Sequence, residues 1–198
     1  MQCLVLAGGL GTRISDRYPN LPKHLVPVLG RPFAEHQLQC LVRGGVTRVV
    51  YSVGHRADQI RDFVRDGKDF GLESVVWVED GAEPMGTGGA VKRAGPHLEE
   101  RFVVIYGDSY LPVDIRPVWD AFERSGLPAL MTVLHNQNRW GVSNACYREG
   151  KLELYRKGPA LSGDPALEYI DYGISVHRRS SVLATLPDGP CPLENYCE

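Results

Sequence analysis

No C-x-x-C pair occurs among the five cysteines (Cys3, Cys40, Cys146, Cys191 and Cys197). An odd, scattered set argues against both a disulfide framework and a thiolate metal centre, so reduced thiols and a cytoplasmic location are expected. The six histidines are dispersed, which removes the clustered imidazoles of a zinc site. There is no basic excess: 22 Lys and Arg against 24 Asp and Glu leave a formal charge of -2, and a nucleic-acid partner is not expected. No apolar run approaches the ~18 residues of a membrane span. The short apolar stretch after Met1 has no basic flank of the kind a signal sequence carries. No membrane partner is therefore expected. Repeats, linkers and low-complexity segments are also lacking. What remains, at 43% hydrophobic residues in 198, is a single globular domain able to bury a core without staples.

Apolar runs and amphipathic stretches alternate through the first two thirds. Residues 2–6, 48–53, 74–78, 102–106 and 129–134 read as short buried strands. Helical spacing occupies the intervals: Phe33, His36, Gln37, Cys40 and Leu41 after Pro32, then 57–65, 88–97 and 116–125. The first of these helices stops at Gly44-Gly45, an expected terminator. Strand–helix alternation predicts an α/β, Rossmann-like, mostly parallel central sheet flanked by helices. Beyond about residue 140 the pattern changes to short strands at 142–147, 151–155 and 169–177. These predict a small antiparallel extension of the same domain toward the C-terminus.

In a parallel sheet, ligands lie outside the carboxyl ends of the strands. Three segments there carry chemistry. Leu6-Ala7-Gly8-Gly9-Leu10-Gly11-Thr12-Arg13 follows the first strand, with Pro22-Lys23 ten residues on. Glycines let backbone N–H groups approach a phosphate chain, and arginine can grip two phosphate oxygens. Neither the Walker loop nor the dinucleotide fingerprint fits, and an ordinary tight turn is the rival explanation. Glu83-Pro84-Met85-Gly86-Thr87-Gly88-Gly89-Ala90 opens a helix whose unpaired N–H groups suit a base edge or an anion. Tyr106-Gly107-Asp108-Ser109 puts a carboxylate directly after a strand, where it can hold Mg²⁺ together with substrate phosphates or simply cap a turn. His24, beside Lys23, reads as a loop substitution rather than a base.

In this order the segments resemble the sugar-1-phosphate nucleotidylyltransferases, and most closely the heptose-1-phosphate guanylyltransferase branch, to which Gly86–Ala90 and Arg139-Trp140-Gly141-Val142 also point. The muramic-acid-1-phosphate uridylyltransferase branch is similar too. The resemblance implies transfer of a nucleoside monophosphate from an NTP to a sugar 1-phosphate, giving an NDP-sugar and pyrophosphate. GTP and D-glycero-D-manno-heptose 1-phosphate are the expected pair, and uridylyl or cytidylyl transfer to a hexose or aminosugar phosphate is the alternative. A non-catalytic nucleotide-sugar binding or regulatory protein is the rival from another class.

The resemblance also assigns roles. Leu6, Ala7, Gly8, Gly9, Gly11, Thr12 and Arg13 would hold the nucleotide, with Arg13 neutralising the leaving pyrophosphate. Lys23 would stabilise charge at the reacting phosphorus, and Asp108, next to Gly107, would hold Mg²⁺. Glu83 and Gly88 would take the base. Gly141, Lys157, Asp171 and Gly173 would meet the sugar phosphate, although Arg156-Lys157-Gly158 replaces the usual Glu-Lys-Pro and Asp171 stands near a usual Asn. Residues 1–135 would form the nucleotide-binding core and 136–198 the sugar-phosphate part, expected to be short because a late Asp-x-Gly-Thr-Pro-like metal segment is not found. Family habit implies a homodimer.

Overall fold

The computed structural model describes residues 1–198 except 10, 13, 82–83, 157–163, 165 and 198. β1 (Gln2–Ala7) is followed, after a long loop, by a small hairpin, β2 (Pro27–Val28) and β3 (Arg31–Pro32), and by helix α1 (Phe33–Arg43). β4 (Arg48–Val53), α2 (Ala57–Val64), β5 (Ser74–Glu79), α3 (Gly86–Ala94), β6 (Arg101–Tyr106) and α4 (Arg116–Ser125) then alternate. The last third holds β7 (Ala129–His135), β8 (Ala145–Arg148), β9 (Lys151–Tyr155), β10 (Tyr169–Arg178), α5 (Arg179–Thr185) and α6 (Glu194–Cys197).

One eight-stranded sheet runs β5-β4-β1-β6-β10-β8-β9, with β7 also paired to β10. The first four strands are parallel. β10 runs antiparallel to β6, β7 and β8, and β9 closes on β8. The parallel sheet with a small antiparallel extension is the architecture expected from the pattern of the chain. Two details differ. The strand at 129–135 does not continue the parallel series, because β10 takes the place beside β6 and pairs with β7 on its other edge. Residues 142–144 are not strand; β8 begins at Ala145.

Period-two alternation along the buried strands feeds two cores. Val5, Tyr51 and Val103 face Leu38, Ile60 and Phe122 from α1, α2 and α4. Leu4, Val50 and Val104 face Val91 and Val182 from α3 and α5. α1 ends as its sequence requires. Gly45 takes φ +93, and the N–H groups of Gly45 and Val46 return to the carbonyls of Val42 and Leu41. That paired return satisfies carbonyls left open at the helix end and turns the chain directly into β4.

Candidate active site

The carboxyl ends of β1, β4, β5 and β6 open on one cleft of about 660 Å³. Leu6, Ala7, Gly8 and Gly9 line it from the end of β1, and Gly11 and Thr12 from the loop beyond. Lys23, Gly107 and Asp108 lie on its other side. Nine of the residues singled out from the sequence thus share one cavity.

Close backbone approach explains the glycines. A Cβ on Gly54 would meet the Gly8 carbonyl oxygen at 2.8 Å, and one on Gly107 would meet the Ala7 Cβ at 2.9 Å. Gly11 has φ +66 and lies against Lys23, whose Cβ is 3.1 Å from where its own would stand. The backbone at Gly11 can therefore pass close over the lysine.

Lys23 Nζ donates to Asp108 Oδ2 in a short ion pair. The two side chains remain 31% and 41% exposed, so solvent screens the pair and its net worth is ~0–1 kcal/mol. Exchanging it for contacts to an incoming phosphate costs little. Among the described residues no group of three His, Cys, Asp or Glu side chains could hold a metal. The single carboxylate of Asp108 nevertheless fits Mg²⁺, which takes one or two carboxylates and completes its octahedron with phosphates and water.

Asp80 also lines the cleft and was not singled out from the sequence. It stands after β5, three strand spacings from the loop after β6, roughly 14 Å at ~4.8 Å per spacing. It cannot share a metal with Asp108 across that distance. Ser52 Oγ donates to its Oδ1, and a Cβ on Gly8 would fall 1.8 Å from its Oδ2. Burial pushes its carboxyl above the usual range, opposed by the Ser52 hydroxyl and the Arg93 charge. A lone Asp after a strand gives no signal of this kind; only the fold shows it half-buried in the lining of the cleft.

His24 is likewise in the wall, 3% exposed. Its Nδ1 is 2.6 Å from the Gly107 oxygen and its Nε2 3.1 Å from the Tyr51 hydroxyl. Burial holds its pKa down to about 4, so the ring is neutral near pH 7.

The start of α3 differs in detail from expectation. The N–H groups of Gly88 and Gly89 donate to the Cys191 carbonyl at 2.9 and 3.2 Å, and Leu193 N–H donates to Thr87 Oγ1. The segment around residue 191 therefore caps this helix. Gly86 and Thr87, not Gly88, line the cleft.

Of the residues expected at the sugar end, Gly173 (φ +95) sits in a bulge of β10, its absent Cβ 3.3 Å from Ser109 Oγ and so beside the Asp108 loop. Asp171 accepts from Tyr155 Oη and from the Gly173 N–H. Gly141 lies further out, its carbonyl accepting from Asn136 Nδ2. None of these three is in the cleft wall. Arg13, Glu83 and Lys157 lie outside the described residues.

A glycine loop after β1, a lysine and a carboxylate at one edge of a parallel sheet define a nucleotidyltransferase-type α/β fold. Residues 3–171 match the model of the MobA-like NTP transferase domain, and the chain belongs to that family. It is 27% identical over 144 residues to a D-glycero-alpha-D-manno-heptose 1-phosphate guanylyltransferase of Campylobacter jejuni, covering 73% of this chain and 63% of that protein. A UTP--glucose-1-phosphate uridylyltransferase of Synechocystis sp. is 30% identical over 205 residues, covering 96% and 52%. The chain thus spans about half to two thirds of the length of these relatives. HddC from Yersinia pseudotuberculosis superposes with TM-score 0.74 at 28% identity, over 98% of this chain and 83% of that one. Its complex with GMP-PN gives 0.71 at 29%, over 95% and 81%.

Gly54→Ala should destabilise the protein by about 1–3 kcal/mol, because backbone rather than a flexible side chain must yield. Denaturant unfolding checks this; an unchanged midpoint would show that β1 and β4 are not pressed together at Gly8.

Proposed function

We propose that this chain transfers a nucleoside monophosphate from an NTP to a sugar 1-phosphate, releasing pyrophosphate and forming an NDP-sugar. The observation that carries this is the shared cleft. A strand-to-loop glycine segment suited to a triphosphate faces, across a few residues, a lysine and a carboxylate suited to the reacting phosphorus. The relatives named as sugar-1-phosphate guanylyl- and uridylyltransferases support the same reading.

In this mechanism an oxygen of the sugar phosphate attacks the α-phosphorus of the NTP, and the bond from that phosphorus to the bridging oxygen breaks. Pyrophosphate departs in line. No covalent enzyme intermediate is needed; positioning and electrostatics carry the step. Leu6, Ala7, Gly8, Gly9, Gly11 and Thr12 wrap the triphosphate with backbone donors, and Arg13 neutralises the leaving pyrophosphate. Lys23 offsets repulsion between the two anions and stabilises charge on the five-coordinate phosphorus. Asp108, with substrate phosphates, would hold Mg²⁺, which screens phosphate charge and steadies the leaving group. The start of α3, where Gly86 and Thr87 line the cleft, belongs with Glu83 to the base side, and Gly88 acts there only by holding that turn. Gly141, Lys157, Asp171 and Gly173 belong to the sugar side, consistent with a division into a nucleotide part, 1–135, and a sugar-phosphate part, 136–198.

Asp80 favours GTP as the donor. Guanine presents N1–H and the N2 amino group side by side, and one carboxylate can accept from both. Uracil presents a single N–H between two carbonyls, which a carboxylate repels. The GMP-PN complex of HddC and the guanylyltransferase relative support the same choice, with D-glycero-D-manno-heptose 1-phosphate as acceptor.

Lys23→Ala should lower kcat by roughly 10²–10³-fold, while the nucleotide dissociation constant stays within a few-fold. Equal loss of both would remove the role given to the lysine. Asp80→Asn should weaken GTP binding by roughly 10–100-fold and UTP binding far less. Calorimetric titration of both nucleotides reads this directly, and parallel losses would contradict guanine readout.

A further inference from the structure

Lys23 and His24 are consecutive on a 3-10 turn, Lys23–Leu25, so their side chains diverge. Lys23 extends along the cleft to Asp108, and His24 turns into the core. A carbonyl can only accept, so the 2.6 Å contact to Gly107 fixes the proton on His24 Nδ1. The Nε2 lone pair is then free to accept the Tyr51 hydroxyl proton. Tyr51 is itself immobilised: it is wholly buried on β4 and stacks on Trp77 with centroids 4.9 Å apart and planes 13° from parallel.

Gly107 is held from both sides, since its N–H donates to the Leu6 carbonyl at 2.8 Å. A second side chain does the same work nearby. Gln37 Nε2 on α1 donates to the carbonyls of Tyr106 and Ser109 at 2.9 and 2.6 Å. Three carbonyls around Asp108 are therefore held, that of Gly107 by the turn that also bears Lys23 and those of Tyr106 and Ser109 by α1. The solvent-screened Lys23–Asp108 pair cannot maintain that spacing once both side chains turn to phosphate. Buried hydrogen bonds from a ring with no freedom to solvate elsewhere can.

We propose that His24 is a positioning residue: a neutral Nδ1–H imidazole that locks the backbone of the Lys23 turn to that of the Asp108 loop, and so sets the lysine–carboxylate spacing for phosphoryl chemistry. This rests on the transferase reading above. His24 touches neither substrate nor the reacting atoms and acts only through its neighbours.

The test compares His24→Leu, His24→Asn and Tyr51→Phe with the unsubstituted chain. Steady-state pyrophosphate release gives kcat and KM, and nucleotide titration without acceptor gives Kd. His24→Leu should lose roughly 30–100-fold in kcat, the scale of a displacement of about 1 Å, with nucleotide Kd within about 3-fold. His24→Asn places an amide N–H near the Nδ1 position and should recover kcat to within about 5-fold, although it melts no higher than the leucine variant. Tyr51→Phe, which keeps the Gly107 bond, should fall between the two. The imidazole ¹⁵N spectrum of the unsubstituted chain should show the Nδ1–H tautomer. An unchanged kcat in His24→Leu, kcat and nucleotide affinity falling together, no recovery with asparagine, or an Nε2–H tautomer would each overturn the proposal. Lack of turnover in the unsubstituted chain would overturn the transferase reading beneath it. Turnover there with an unaffected His24→Leu would overturn this inference alone.

Discussion

The register of four parallel strands decides where every polar group of the cleft stands. Ala7 pairs with Val53 and Val53 with Glu79, while Leu6 pairs with Tyr106. The residues that follow, Gly8, Gly54 and Asp80, therefore emerge at one level along a single edge, with Gly107 one residue short of it, opposite Ala7. The ladder even runs one step further, through the Asp80 N–H to the Val53 carbonyl and the Gly107 N–H to the Leu6 carbonyl. A one-residue slip in any pair would turn its buried side chains outward and withdraw its polar group from the edge. Hydrophobic burial on both faces thus enforces the site geometry.

Within that frame the glycines and the charged groups do different work. Gly8, Gly54 and Gly107 let neighbouring backbones meet without Cβ atoms, which concentrates N–H donors where a polyanion can reach them. Among the described residues that line the cleft the charges are sparse: one lysine and two carboxylates set apart by the width of the parallel sheet. That economy suits a reaction in which the substrates bring most of the charge. In the proposed reaction the protein would supply fixed positions and a cation at the phosphorus. His24 and Gln37 extend this logic inward, as neutral groups that hold backbone rather than substrate.

The parallel core and the glycine loop that lines the cleft were legible in the sequence because their signals are local: short β-branched runs, and glycines at their ends. The strand at 129–134 was legible too, but its pairing was not, because its partner β10 lies some 40 positions on and nothing in residues 129–135 records which strand will lie beside it. The cap on α3 is the same kind of event, with Gly88 and Gly89 bound by a carbonyl a hundred residues away. Asp80 and His24 escaped for a different reason. A single Asp after a strand reads as a turn, and a histidine next to a loop lysine reads as a substitution; only packing against Ser52, Gly8, Tyr51 and Gly107 gives either residue its meaning. Asp108, by contrast, was readable from its place after a strand end and Lys23 from the family resemblance, and they meet in the cleft.

The measurement that reaches the central claim most directly is pyrophosphate release by this chain with GTP, UTP, CTP, ATP and dTTP, each crossed with a panel of sugar 1-phosphates, in Mg²⁺ and in EDTA. The account predicts metal-dependent release that is strongest with GTP and a heptose 1-phosphate. Nucleotide binding without release for any pairing would contradict it, and would make the cleft a binding site rather than a catalytic one.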